Sequence, residues 1–264
     1  MTLAEYYGFP EGTNCTRAYY NIIDDGANYP IEGTLKYFFA YQDPRLSLPD
    51  FINVKCKSIE YFMQGCSRVS TLDGLQYLDT SQCTTMKNAF YGVGNSLSIM
   101  DAGNQNLDVT PIKDWDTSQV TDMSAMFQST LIKEFNVNWD TSKVTTMNQM
   151  FYSCSKLTTI CALDCSSITQ NNYPLNSYTS NNTVTTLGGF INMKSSWDNN
   201  YGLSQFPKLT YESCINVLNG LYDFTGNNQT PTSTQGKLKV HQNFLDLVGD
   251  KISIGTNKGW TIIA

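Results

Sequence analysis

Trp115-Asp116-Thr117-Ser118-Gln119-Val120-Thr121-Asp122-Met123-Ser124-Ala125-Met126-Phe127 returns 24 residues later as Trp139-Asp140-Thr141-Ser142-Lys143-Val144-Thr145-Thr146-Met147-Asn148-Gln149-Met150-Phe151. Upstream, Leu78-Asp79-Thr80-Ser81-Gln82-Cys83-Thr84-Thr85-Met86-Lys87-Asn88-Ala89-Phe90 carries the same frame. Weaker copies run through Cys56, Ile59, Phe62, Met63 and Cys66, and from Leu163-Asp164-Cys165 to Ile168. Cys56, Cys83, Val120, Val144 and Ile168 hold one slot, at spacings of 27, 37, 24 and 24 residues. A fixed period of this length marks a repeat architecture, in which each unit buries its apolar face only by stacking on its neighbours.

Within each unit the apolar residues fall at i, i+3 and i+6/i+7, as in Val120, Met123, Met126 and Phe127, the spacing of one helical face. The Asp-Thr-Ser before it offers short oxygen-bearing side chains suited to capping a helix. Upstream stretches such as Val69–Leu75 and Phe135–Val137 read as brief strands. The expected fold is therefore α/β: short parallel strands, each followed by a helix starting near Ser81, Ser118 or Ser142. A strand and a helix per roughly 24 residues is the leucine-rich-repeat unit, and stacked units form a solenoid.

These motifs resemble the BspA-like leucine-rich-repeat family, whose repeat has the form W-D-T-S-x-V-T-x-M-x-x-M-F. The match is close at 115–127 and 139–154, fair at 78–90, and degenerate at 53–66 and 157–168. Val184–Ile191 and Leu209–Leu221 resemble atypical repeats, and Leu238–Ile262 resembles a closing strand and helix. The resemblance implies a solenoid over residues 51–264 behind a 1–50 aromatic-rich cap or docking segment, with insertions near 91–106, 169–183 and 222–236. The structural positions it marks are Asp79, Trp115, Asp116, Met123, Phe127, Trp139, Asp140, Met147 and Phe151.

Composition narrows the function. Of 264 residues, 41% are apolar but only 15% charged, against about 25% charged in typical soluble domains. The surface is expected to be neutral and rich in Asn, Ser, Thr and Tyr. A formal net charge of −6 argues against a nucleic-acid partner, which needs a basic face. No apolar run approaches the roughly 18 residues of a membrane-spanning helix, and the N-terminal residues lack a basic and apolar leader.

Little chemistry is on offer. A cysteine that alternates with valine across repeats, as Cys56 and Cys83 do, behaves as a small buried hydrophobe rather than a disulfide partner. Cys161-x3-Cys165 lacks the further ligands of a zinc site. His241 is the one histidine, with no nucleophile marked beside it. Asp79, Asp116, Asp140 and Asp164 would stack as a ladder, read either as a cation row or, preferably, as Asx-type turns holding backbone amides. Neither catalysis nor a cofactor or metal is expected.

What remains is recognition. The three insertions are rich in Asn, Ser, Thr, Gly and Tyr, the residue types of adaptable binding loops. The N-terminal segment adds more aromatics than a cap needs to bury. The expected partner-binding residues are Tyr6, Tyr7, Phe9, Tyr19, Tyr20, Tyr173 and Tyr178. The resemblance implies two roles: a phage virion component (tail, fibre or capsid surface) that contacts other virion proteins, or a bacterial cell-surface adhesin that binds host proteins or glycans. An exported adhesin would need a leader, so a chain opening at Met1 without one is expected in the virion class.

Overall fold

The methionines and phenylalanines of the repeat point inward, but no helix carries them there. The computed structural model describes residues 31–36, 38–40, 51, 54–67, 69, 71–95, 106–168, 183–197 and 203–264. In it Val120, Met123, Met126 and Phe127 are fully buried, as are Val144, Met147, Met150 and Phe151. Each set is delivered by overlapping turns.

The amides alternate in what they bond. Met126, Gln128 and Thr130 donate three residues back, to Met123, Ala125 and Phe127. Met123, Ala125, Phe127 and Ser129 donate instead to Thr146, Asn148, Met150 and Tyr152 of the next repeat, at 2.8 to 2.9 Å. Met86, Asn88, Phe90 and Gly92 likewise donate to Asp122, Ser124, Met126 and Gln128. A helix would turn every amide inward to its own i−4 carbonyl. Here half the amides of a turn string stitch it to its neighbour.

Such a path needs left-handed residues at two slots per unit. The first is held by Tyr61, Asn88, Ala125 and Gln149 (φ 52 to 60°), the second by Gly65, Gly92, Ser129 and Ser153 (φ 59 to 72°). A non-glycine residue there costs about 1–2 kcal/mol, and it interrupts any helix. Each inter-repeat hydrogen bond offsets this by about 0.5–1.5 kcal/mol.

This overturns the expected leucine-rich-repeat solenoid with a strand and a helix in every unit. No helix starts near Ser81, Ser118 or Ser142. Short parallel strands do occur, in small separate sheets. β1 (Ile31–Thr34) pairs with β2 (Val54–Ser58), and β3 (Glu134–Phe135), β4 (Thr159–Ile160) and β6 (Thr186–Leu187) form three strands in the order β3-β4-β6. β5 (Leu163–Asp164) pairs with β7 (Phe190–Ile191), and β8 (Lys237–Lys239) with β9 (Thr261–Ile263). Through the repeats pairing shrinks to single parallel bridges, among them Ser58 to Thr85, Thr85 to Asp122 and Asp122 to Thr146.

α-Helix is confined, among the described residues, to the C-terminal part. α1 (Tyr211–Gly220) begins at Thr210, whose Oγ1 accepts the Ser213 amide at 3.2 Å. It buries Cys214, Val217 and Leu218, and no left-handed residue interrupts it. α2 (Gln242–Val248) begins at His241, whose Nδ1 accepts the Asn243 amide at 3.1 Å. The four-residue α3 (Ser253–Thr256) follows. Lys258 closes the end of α1, its Nζ donating to the carbonyls of Leu218, Asn219 and Leu221 at 3.3, 2.7 and 3.1 Å.

The core is one continuous aromatic and methionine column. Phe90, Phe127 and Phe151 stack at centroid distances of 5.4 and 6.1 Å. At the N-terminal end Leu35 and Phe39 are buried, and Phe39 meets Phe51 and Phe62 edge-on. The Phe39 amide bonds the Phe62 carbonyl and the Leu35 amide the Ser58 carbonyl, so pairing extends ahead of residue 51. Cys56 and Cys83 are buried free thiols. Cys66 and Cys154 share a further role: each Sγ donates at 3.0 Å to a carbonyl 27 residues earlier, Phe39 and Phe127 respectively. Cys15 lies outside the described residues.

Candidate recognition surface

The repeat positions marked in the sequence are structural in their contacts. Asp79 Oδ1 accepts the Ser81 hydroxyl and amide at 2.6 and 3.0 Å. Asp116, Asp140 and Asp164 each accept the amide two residues on, at 2.8 to 2.9 Å. The Ser81 and Ser142 side chains and amides hold the carboxyls of Asp79 and Asp140 below the usual carboxylate range. Every one of these oxygens closes an Asx turn at the start of a turn string. Among the described residues no three His, Cys, Asp or Glu side chains gather as a metal site.

Trp115 and Trp139 are buried and parallel, and their indole N–H groups donate to the Leu75 and Ile112 carbonyls at 2.8 and 2.9 Å. They serve the core. Met123, Phe127, Met147 and Phe151 are fully buried and present nothing outward. The residues expected to contact a partner, Tyr6, Tyr7, Phe9, Tyr19, Tyr20, Tyr173 and Tyr178, lie outside the described residues. So do most of the insertions at 91–106 and 169–183.

What the stacked repeats show to solvent is a set of rows. Thr84, Thr121 and Thr145 are exposed one above another. Each hydroxyl donates to the residue one repeat earlier: Lys57, Thr84 and Thr121 carbonyls, at 3.3, 3.2 and 3.0 Å. The hydroxyls thus add to the inter-repeat ladder along its exposed edge. A second row, Gln64, Tyr91, Gln128 and Tyr152, precedes the second left-handed slot of each unit and is half-buried.

The insertion at 222–236 is built rather than loose. Trp260 Nε1 donates to the Tyr222 carbonyl at 2.9 Å, and the Phe224 amide to the Lys258 carbonyl at 3.0 Å. Asp223 Oδ1 accepts the Gly226 amide, and Tyr222 donates its hydroxyl to Gln229 Oε1 at 3.3 Å. Thr225 to Thr230 then project as a neutral exposed run.

A concavity opens between two repeats among the described residues. It encloses about 230 Å³, with Asn106, Asp108 and Thr110 on one bank and Lys133, Glu134 and Asn136 on the other. Leu107 and Val109 form its apolar floor. The bank at 106–110 follows directly on the insertion that lengthens one spacing to 37 residues, whereas the bank at 133–136 lies in the next, regular unit. That irregular spacing was the available signal.

Residues 57–187 match a family described as "Mycoplasma protein of unknown function, DUF285". The matched stretch runs from the end of β2 through β6, just under half of the chain. No curated protein and no solved structure matches the chain.

Proposed function

We propose that this chain is a non-catalytic recognition or structural protein that works by contacting a macromolecular partner, as a phage virion component. The observation that carries this reading is the division of labour in the repeats. The repeat Asp residues are engaged in turns and the Trp, Met and Phe residues in the core, while the exposed row Thr84/Thr121/Thr145 and the half-buried row Gln64/Tyr91/Gln128/Tyr152 are neutral and recur once per repeat. A stiff, regular, weakly charged surface suits contact through hydrogen bonds and aromatic area rather than salt-sensitive steering. The finer kinship with BspA-like repeats rests on the W-D-T-S-x-V-T-x-M-x-x-M-F frame and belongs to this proposal.

The bacterial genus in the description of the matching family favours a second reading, a bacterial cell-surface adhesin. Antibody raised against the chain separates the two. Gold label on virions supports the first; label on intact cells and none on particles replaces it with the second. Turnover of a sugar or peptide substrate by the purified chain, with no label on either, overturns both.

A further inference from the structure

We propose that the groove between residues 106–110 and 133–136 binds a neutral saccharide ring through its hydroxyl groups. This rests on the reading of the chain as a recognition protein and adds the chemical class of one ligand.

The groove is a defined break in the inter-repeat ladder. Its two banks are tied at one end by the Leu107 amide on the Leu131 carbonyl (3.1 Å). At the other end the Asn138 amide bonds the Lys113 carbonyl (2.8 Å), beside Asn138 Nδ2 on Asp114 Oδ1. Between these ties no backbone hydrogen bond joins 108–112 to 133–137 among the described residues. The cause is local. Pro111 sits in the first turn of a 3-10 segment, Thr110–Ile112, while the facing residues stay extended as β3. Proline has no N–H to offer a ladder and its fixed φ favours the turn. The banks diverge, and the space between them is held open at both ends.

Size and lining then select the ligand. About 230 Å³ is below the range of about 300–1,000 Å³ that holds drug-sized molecules, and it suits a single ring. Each sugar hydroxyl is both donor and acceptor, and so is the lining: two carboxamides and a hydroxyl offer both functions, two carboxylates accept and one ammonium donates. Asp108 Oδ1 is engaged by the Thr110 amide at 2.8 Å, and Lys133 pairs with Glu134 at 3.4 Å. The net charge of the lining is one negative, which repels phosphate and sulfate. No aromatic ring lines the groove among the described residues, so the site lacks a stacking platform and weak binding of a single sugar is expected.

The test is amide-resolved NMR on the full chain, titrated separately with the methyl glycosides of glucose, galactose, mannose and N-acetylglucosamine. Saturable shifts are expected at 106–110 and 133–136 with at least one of them. Asn136→Ala, which removes an exposed carboxamide, is expected to weaken that binding about tenfold with the rest of the spectrum unchanged. Calcium chloride and sodium sulfate serve as comparison titrants. The proposal falls if no glycoside shifts these residues, if calcium or sulfate alone does so, or if Asn136→Ala binds as well as the parent. Sugar binding by a chain that labels neither particles nor cells would leave the groove and sink the recognition reading; label without sugar shifts would do the reverse.

Discussion

The indole rings of Trp115 and Trp139 lie 6.3 Å apart and within 8° of parallel, each in the same slot of successive repeats. Each also donates its N–H to a buried carbonyl of an earlier unit. One residue type therefore does two things per repeat: it fills the core column, and it adds a second hydrogen bond to a carbonyl that already accepts the amide of Leu78 or Trp115. Trp139→Phe keeps most of the area and leaves the Ile112 carbonyl its bond from the Trp115 amide, so it is expected to cost only about 0.5–1.5 kcal/mol. Trp139→Ala is expected to cost about 3–5 kcal/mol. Urea unfolding monitored by far-UV circular dichroism checks both.

The left-handed slots make an opposite pair of expectations. Ala125 sits at φ 52°, so Ala125→Gly relieves strain and is expected to raise stability by up to about 1 kcal/mol. Gly189 sits at φ 105°, and an added Cβ would stand 2.6 Å from the Asn216 carbonyl oxygen. Gly189→Ala is expected to destabilise by well over 1 kcal/mol. A shift of the melting temperature downward for Ala125→Gly would contradict the turn-string geometry.

Thr117 and Thr141 hydroxyls donate to the Asp140 and Asp164 carbonyls at 2.9 and 3.0 Å. Thr80 holds the equivalent slot ahead of the insertion, buried, with its hydroxyl unpartnered. Thr80→Val is therefore expected to be neutral or stabilising, whereas Thr117→Val loses about 1 kcal/mol. Equal losses at the two sites would refute the difference in pairing.

Burial pushes the Cys154 thiol up to about 11 from an ordinary value of 9.0. A group whose native pKa is raised contributes its stability in full below the unfolded value and loses it as pH climbs to the native one. Unfolding free energy is thus expected to decline between pH 9 and about 11, this residue accounting for about 2–3 kcal/mol of the fall. Cys154→Val, compared with the parent at a series of pH values, is expected to flatten that decline. A slope identical to the parent's would assign the alkaline loss elsewhere.

Lys258 spends all three ammonium hydrogens on the carbonyls at the end of α1. Burial lowers its pKa, so its charge is held at a cost that those bonds offset. Lys258→Met is expected to speed amide exchange across 211–221 and 256–260 while leaving 118–154 as protected as before. Uniform loss of protection along the chain would mean the C-terminal part does not open separately.

The repeat and its buried slots are legible in the sequence because stacking imposes one chemistry per slot. Val120 and Val144 match Cys83 and Cys56, and all four are buried. The path between the slots is not legible. Apolar residues at i, i+3 and i+7 suit a helix of 3.6 residues per turn, and they suit overlapping i to i−3 turns equally well. The choice depends on where the amides of Met123, Ala125, Phe127 and Ser129 find acceptors, and those lie on another repeat. An isolated helix of this length gains little on its own in water, so the neighbour's carbonyls prevail. The same holds for the groove: Pro111 is visible in the sequence, but the gap exists only because β3 stays extended opposite it. Local spacing determined what is buried; hydrogen bonds between residues 20 to 40 positions apart decided the shape in which it is buried.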